Sequence, residues 1–201
     1  MSVVTTPESA RIGLLFGSFN PIHTGHLILA HYMATHTDLT EVWLVVSPQS
    51  PYKTNQELLS EDSRFSLVEA AIAGNDRLRA INLEFKLSKP NFTIATLDEL
   101  CRLHPTLEFV LLMGGDNLLG LAGWKDTERI QREFDIYVYP RPGYQLPAKA
   151  SDSMRLRIVT APLLDISATF IRQSIQAGKS IRYLVPEAVE QRIIAGSYWQ
   201  S

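Results

Sequence analysis

Residues 13–29 read GLLFGSFNPIHTGHLIL. An apolar run stops at Gly17, and a second begins at Leu27. The first has the form of a short buried strand closed by glycine, and residues 24–36 continue as a helix with a mixed face. Between them stand His23 and His26, with Gly25 in the middle. The stretch therefore predicts a strand, a turn and a helix, with two imidazoles placed at the turn.

The same alternation continues outward. Strands are expected at 12–16, 41–46, 79–85, 107–113 and 134–139, with weaker candidates at 157–159 and 163–166. Helices are expected at 24–36, 60–73 (on Phe65, Val68, Ala71 and Ile72), 93–104, from Asp116 onward, 167–177 and 186–195. The last has Pro186 at its first turn and Gly196 behind it. The segments 47–57 and 141–157 lack periodicity and read as loops. Apolar strands alternating with helices predict an α/β fold, a Rossmann-like doubly wound parallel sheet with helices on both faces. Such sheets bind ligands beyond the carboxyl ends of their strands, where the strand order reverses. The chemically distinctive residues fall there. His23 and His26 follow the first strand, Lys53 the second, Asp116 the third, Arg141 the fourth, and the segment 167–172 the last.

The chain has 201 residues, which suits a single domain over 1–201, with 1–11 a flexible start and 185–201 a C-terminal helix and tail. Hydrophobic residues make up 45% and charged residues 20%, enough for an unaided core. The formal net charge of -2 gives no overall basic footprint, so no nucleic-acid partner is expected. One cysteine, Cys101, excludes an internal disulfide and suits a reducing compartment; beside Leu97 and Leu100 it reads as core filler. No apolar run approaches the ~18 residues of a membrane span, and the N-terminus lacks the basic and apolar regions of a secretory signal. A cytoplasmic protein with no membrane partner is expected; a homo-oligomer is left open.

The backbone amides of Gly17 and Ser18 can face an anion lodged between strand and helix, and the helix beginning at Thr24 adds its N-terminal dipole. His23 and His26 then either donate to phosphate oxygens or merely cap the turn. A zinc site fits poorly, because His-x-x-His is not the helical i, i+4 pair of zinc enzymes. Neither Gly-x-x-x-x-Gly-Lys-Ser/Thr nor Gly-x-Gly-x-x-Gly occurs in the chain. A second constellation is DISATFIRQSI at 165–175. Ser167 is a good N-cap, Thr169 lies in the first turn, and Arg172 can either reach the same anion or sit on an ordinary helix surface.

Together these motifs resemble the nucleotidylyltransferase superfamily with the T/H-x-G-H signature, here His23-Thr24-Gly25-His26. The superfamily's I-S-x-T-x-x-R signature stands as Ile166-Ser167-Ala168-Thr169-Phe170-Ile171-Arg172. A finer similarity is to bacterial nicotinate-nucleotide adenylyltransferases. It is carried by GSFNPIHTGHL, Asn91-Phe92-Thr93, Gly114 and Asp116 with Trp124, Arg141-Pro142-Gly143, and the Leu184, Pro186 and Val189 element. The resemblance implies adenylyl transfer from ATP to nicotinate mononucleotide, with Mg2+ held mainly by phosphates and no protein metal site. It implies catalytic roles for His23, His26 and Arg172. ATP is then held by Gly17, Ser18, Phe19, Gly25, His26, Gly114, Asp116, Ile166, Ser167, Thr169 and Arg172. The mononucleotide falls to Lys53, Thr93, Trp124, Lys125 and Arg141. Plainer roles stand beside these: a helix cap for Asp116 and Thr93, a core aromatic for Trp124, a solvated charge for Arg141. One departure is Ser50-Pro51-Tyr52-Lys53, where the family carries Pro-Pro-His-Lys/Arg. Alternatives are transfer to nicotinamide mononucleotide or to pantetheine phosphate, or an inactive nucleotide-binding sensor.

Overall fold

A computed structural model describes residues 9–48, 58–140 and 155–200. Six strands form one sheet: β1 (Arg11–Gly17), β2 (Glu41–Val46), β3 (Leu78–Ile81), β4 (Glu108–Gly114), β5 (Asp135–Tyr139) and β6 (Leu156–Ile158). Their order is β3-β2-β1-β4-β5-β6, and every neighbouring pair is parallel. The order reverses between β1 and β4. The expected doubly wound sheet is therefore present, and its switch point lies where the two glycine-terminated strands run side by side.

Seven α-helices cover the sheet among the described residues: α1 (Thr24–His36), α2 (Glu61–Ile72), α3 (Thr93–Leu103), α4 (Gly115–Gly120), α5 (Thr127–Glu133), α6 (Ala168–Gln176) and α7 (Glu187–Ala195). Strand residues alternate between two cores, as the pleat requires. Leu15, Val42, Leu44, Val46 and Leu112 pack with buried residues of α1, α2, α6 and α7. Leu14, Trp43, Val45, Leu111 and Met113 pack with buried residues of α3 and α5. Both faces are covered, which explains the near-continuous apolar runs of the strands.

Several expectations are corrected. The strand expected at 79–85 ends at Ile81, and Leu83–Lys86 form a 3-10 turn that carries a buried Glu84. Residues 163–166 form no strand; Leu163 and Leu164 are exposed beyond Pro162, which has no amide to pair. Helix α5 was not anticipated, because its seven residues bury only Ile130 and show no periodicity. Cys101 is exposed rather than core: Leu97 and Leu100 take the inner face of α3, and the next residue rotates outward. Arg11, expected in the flexible start, opens β1, and the Ala10 carbonyl accepts from the Glu108 amide at 3.0 Å. Residues 1–8 lie outside the described residues. Pro186 is the N-cap of α7 rather than a residue of its first turn. Among the described residues, no helix is long and apolar enough to cross a membrane.

Candidate active site

The site is built around the turn that leaves β1. A Cβ at Gly17 would meet the Phe19 ring at 2.9 Å, so the glycine lets that ring fold back beneath the strand end. Phe19 is buried in a left-handed conformation, φ 44°, and meets the His26 ring edge-on at 5.1 Å. His23 is the N-cap of α1. Its amide donates to Nδ1 of His26 at 3.3 Å, and the two imidazoles stack with centroids 3.6 Å apart. A Cβ at Gly25 would press on the His23 ring at 3.2 Å, so this glycine seats the chain's own imidazole.

That contact assigns a tautomer. An Nδ1 that accepts carries no proton, so in the neutral ring Nε2 carries it. Capping therefore engages Nδ1 of His26 and leaves the ring N–H on the opposite nitrogen.

The second motif meets the first at this turn. Ser167 caps α6, its hydroxyl accepting from the Phe170 amide at 3.1 Å. Ile166 packs partly buried against the first core, and Thr169 is exposed. Arg172 is buried: Nη1 donates to the Asn20 carbonyl at 3.0 Å, and Nη2 to Thr169 Oγ1 at 3.4 Å. Arg172 is therefore not a surface arginine; it bridges two motifs 152 residues apart. The 184–189 element closes on the same turn, with Leu184 and Tyr183 carbonyls accepting from the amide and hydroxyl of Thr24 at 2.9 and 3.1 Å.

Across the switch point, β4 ends at Gly114, which is the N-cap of α4. Asp116 lies half-buried in the first turn and is not the cap. A second group lies on the other face. Phe92 is the N-cap of α3, so Thr93 is its first residue rather than its cap. Trp124 closes a 3-10 turn and packs half-buried on the second core. Lys125 places Nζ 4.7 Å from the centre of the Phe92 ring, which brings the 92–93 and 124–125 segments together. Lys53, Tyr52 and Arg141 lie outside the described residues. Among those described, no group of three or more His, Cys, Asp or Glu is placed to hold a metal ion.

Sequence reasoning missed two buried charged residues, Arg64 beside the turn and Glu84 in the 3-10 turn after β3. Arg64 is 0% exposed and donates to four backbone carbonyls. Burial pushes its pKa below the ordinary value, with Glu61 acting in the opposite direction. Glu84 is 3% exposed, and burial raises its pKa against hydrogen bonds from Thr96 and Ser47. The available signal for Arg64 was an arginine on the same helical stripe as Val68.

The cytidylyltransferase-like family profile matches residues 14–174. The "Probable nicotinate-nucleotide adenylyltransferase" of Cytophaga hutchinsonii is 49% identical over 191 residues, covering 95% of this chain and 99% of that one. The one from Christiangramia forsetii is 44% identical over 183 residues, covering 89% and 93%. This chain belongs to the nicotinate-nucleotide adenylyltransferase family. Among solved structures, the Plasmodium falciparum nicotinic acid mononucleotide adenylyltransferase complexed with NaAD is similar in fold, with a TM-score of 0.78 at 18% identity over 94% of this chain and 97% of that one. Within this adenylyltransferase family member, the signature residues gather at one end of the sheet, as a doubly wound fold requires of a ligand site.

Proposed function

We propose that the chain is a cytoplasmic, single-domain enzyme that transfers the adenylyl group of ATP to nicotinate mononucleotide in NAD biosynthesis, releasing pyrophosphate. The observation that carries the reading is the Arg172 bond to the Asn20 carbonyl, which ties the Ser167 helix to the turn that leads to His23.

The attacking group is a phosphate oxygen of the mononucleotide, already anionic at neutral pH, so no general base is required. That oxygen bonds to the α-phosphorus of ATP. The bond from the α-phosphorus to the bridging oxygen breaks, and pyrophosphate leaves with the electron pair. The protein must hold the groups in line and meet the charge that builds on the leaving group. His23, the Nε2 side of His26, and Arg172 take that role. Gly17, Ser18, Phe19 and Gly25 form the bed of the phosphates, with Ile166, Ser167 and Thr169 at its far wall. Gly114 and Asp116 take the ribose, the carboxylate accepting from its hydroxyls. Trp124 offers a ring to the pyridine, and Thr93 with the Lys125 amide meets the nicotinate carboxylate. Lys53 and Arg141 complete the mononucleotide set.

Mg2+ fits as a guest of the triphosphate. It prefers oxygen ligands and retains water, whereas His23, His26 and Arg172 are nitrogen donors suited to phosphate oxygens. When bound, it supplies further neutralisation of the phosphate charge.

The test is pyrophosphate release from ATP with nicotinate mononucleotide, nicotinamide mononucleotide or pantetheine phosphate as acceptor. The expected result is the highest kcat/KM with the nicotinate form, because a pocket of amide donors prefers an acceptor-only carboxylate to an amide that also donates. A preference for either other acceptor replaces the substrate. No release with any of them leaves a nucleotide-binding sensor.

A further inference from the structure

Arg64 stands on the first turns of α2, and its bonds run to neutral backbone. Nε donates to the Leu59 carbonyl at 3.0 Å, Nη1 to the carbonyls of Ser18 and Ser47 at 2.7 and 2.6 Å, and Nη2 to that of Pro48 at 2.6 Å. Ser18 leaves β1, while Ser47 and Pro48 leave β2, so one side chain ties the exits of two adjacent strands. The Leu59 amide in turn donates to Oδ1 of Asn20 at 3.2 Å. The β1 turn is thus gripped from two sides, by Arg64 at the Ser18 carbonyl and by Arg172 at the Asn20 carbonyl.

A buried guanidinium costs desolvation energy that an apolar side chain would not, so its presence calls for a use. The geometry supplies one. In a trans peptide the C=O and N–H point in opposite directions. The Ser18–Phe19 bond is not among the chain's cis peptides. With the Ser18 carbonyl drawn inward to Arg64, the Phe19 N–H of the same unit faces the opposite way, outward from the guanidinium. A cation bonded to the carbonyl also polarises the peptide, making its N–H a stronger donor.

We propose that Arg64 is a positioning residue for the triphosphate, fixing the β1 turn against the β2 exit and aiming the Phe19 amide at the anion. This rests on the ATP reading of the site given above. Arg64 touches no substrate; it acts through the backbone it holds.

The conservative variant Arg64→Lys tests it, since a compact ammonium with three donors keeps the charge but cannot span four carbonyls. Binding of α,β-methylene ATP and of nicotinate mononucleotide is measured separately by calorimetry, with circular dichroism to establish folding. The Kd for the ATP analogue should rise about tenfold or more, the scale of losing one charge-assisted hydrogen bond, while mononucleotide affinity holds. An unchanged Kd for the analogue, or equal weakening of both ligands, overturns the proposal. If the lysine variant does not fold, the wild-type chain decides. On titration with inorganic tripolyphosphate, the Phe19 amide resonance should move, and a Phe19 amide that stays in place overturns the proposal. These readouts concern binding alone, so an absence of acceptor-dependent pyrophosphate release would remove the proposed reaction without deciding this one.

Discussion

The two ends of the sheet use the same residue type in opposite ways. At the amino end, Arg11 pairs with Asp38, Asp135 and Glu108, and Arg157 pairs with Asp38. The Tyr137 hydroxyl donates to Asp38 at 2.5 Å within the same group. Positive and negative charges are matched there, part-exposed, and directed at one another. At the carboxyl end, Arg64 and Arg172 are buried and bonded to backbone carbonyls and a hydroxyl. Backbone dipoles supply most of the hydrogen bonds described for them. The comparison separates two jobs: ion pairs join strands at the amino end, whereas buried guanidiniums at the carboxyl end hold the backbone of the turns.

If that division holds, substitutions at the carboxyl end should reduce activity more than stability. The largest effect is expected from His26→Ala, which should lower kcat roughly 100-fold or more, the scale of losing one preorganised donor to developing charge. The lost bond to the His23 amide should cost only about 1 kcal/mol of stability, as for other caps. A folded variant with near-normal kcat would remove His26 from the chemistry. Next in size is Trp124→Ala, expected to raise the KM for the mononucleotide about tenfold, within the range of base–aromatic stacking, and to leave the KM for ATP nearly unchanged. Equal rises in both constants would count against ring stacking.

The amino end should behave in the reverse manner. Asp38→Ala removes the acceptor shared by Arg11, Arg157 and Tyr137. Its side chain is 43% exposed, so solvent screens the pairs and the loss should be about 1 kcal/mol, or about 2–4 °C in Tm. Thermal unfolding and kcat/KM measured on the same preparation test the separation. A matching fall in kcat/KM would mean that the two ends are coupled.

The carboxyl end was only partly legible in the sequence. The bounds of α1 and β2 could be read directly, because α1 starts just after a histidine turn and β2 is an unbroken apolar run that stops at Ser47. His23, His26, Ser167 and Arg172 announced themselves by type and spacing. Arg64 and Glu84 did not, and the reason is physical. Their partners are backbone carbonyls and small hydroxyls, which many residues supply, so no partner residue type marks the pairing. The strand expected at 79–85 was too long for a related reason. Leu83 and Phe85 remain apolar because the 3-10 turn packs them against the two cores, and composition alone does not separate that turn from a strand.

Glu84 offers the smallest but most direct test of charge at the carboxyl end. It is the only buried acid among the described residues, and Ser47 links it to Arg64: the Ser47 carbonyl accepts from Arg64, and its side chain bonds Glu84. The Thr96 hydroxyl donates to Glu84 Oε1 at 2.7 Å, and Asn91 donates to the Glu84 backbone carbonyl at 2.8 Å. Burial raises the pKa of this carboxyl, so the folded state binds its proton more tightly than the unfolded state does. The stabilisation is fully present below the ordinary glutamate pKa. As pH rises from there to the raised value, the folded chain holds more protons than the unfolded one, and stability falls. Glu84→Gln keeps a carbonyl for the Thr96 hydroxyl but cannot ionise. Its urea midpoint should therefore lose this descent, and the difference from wild type should shift in the variant's favour as pH rises through the window. Curves that run parallel from acid to neutral pH would mean that Glu84 is ionised in the fold.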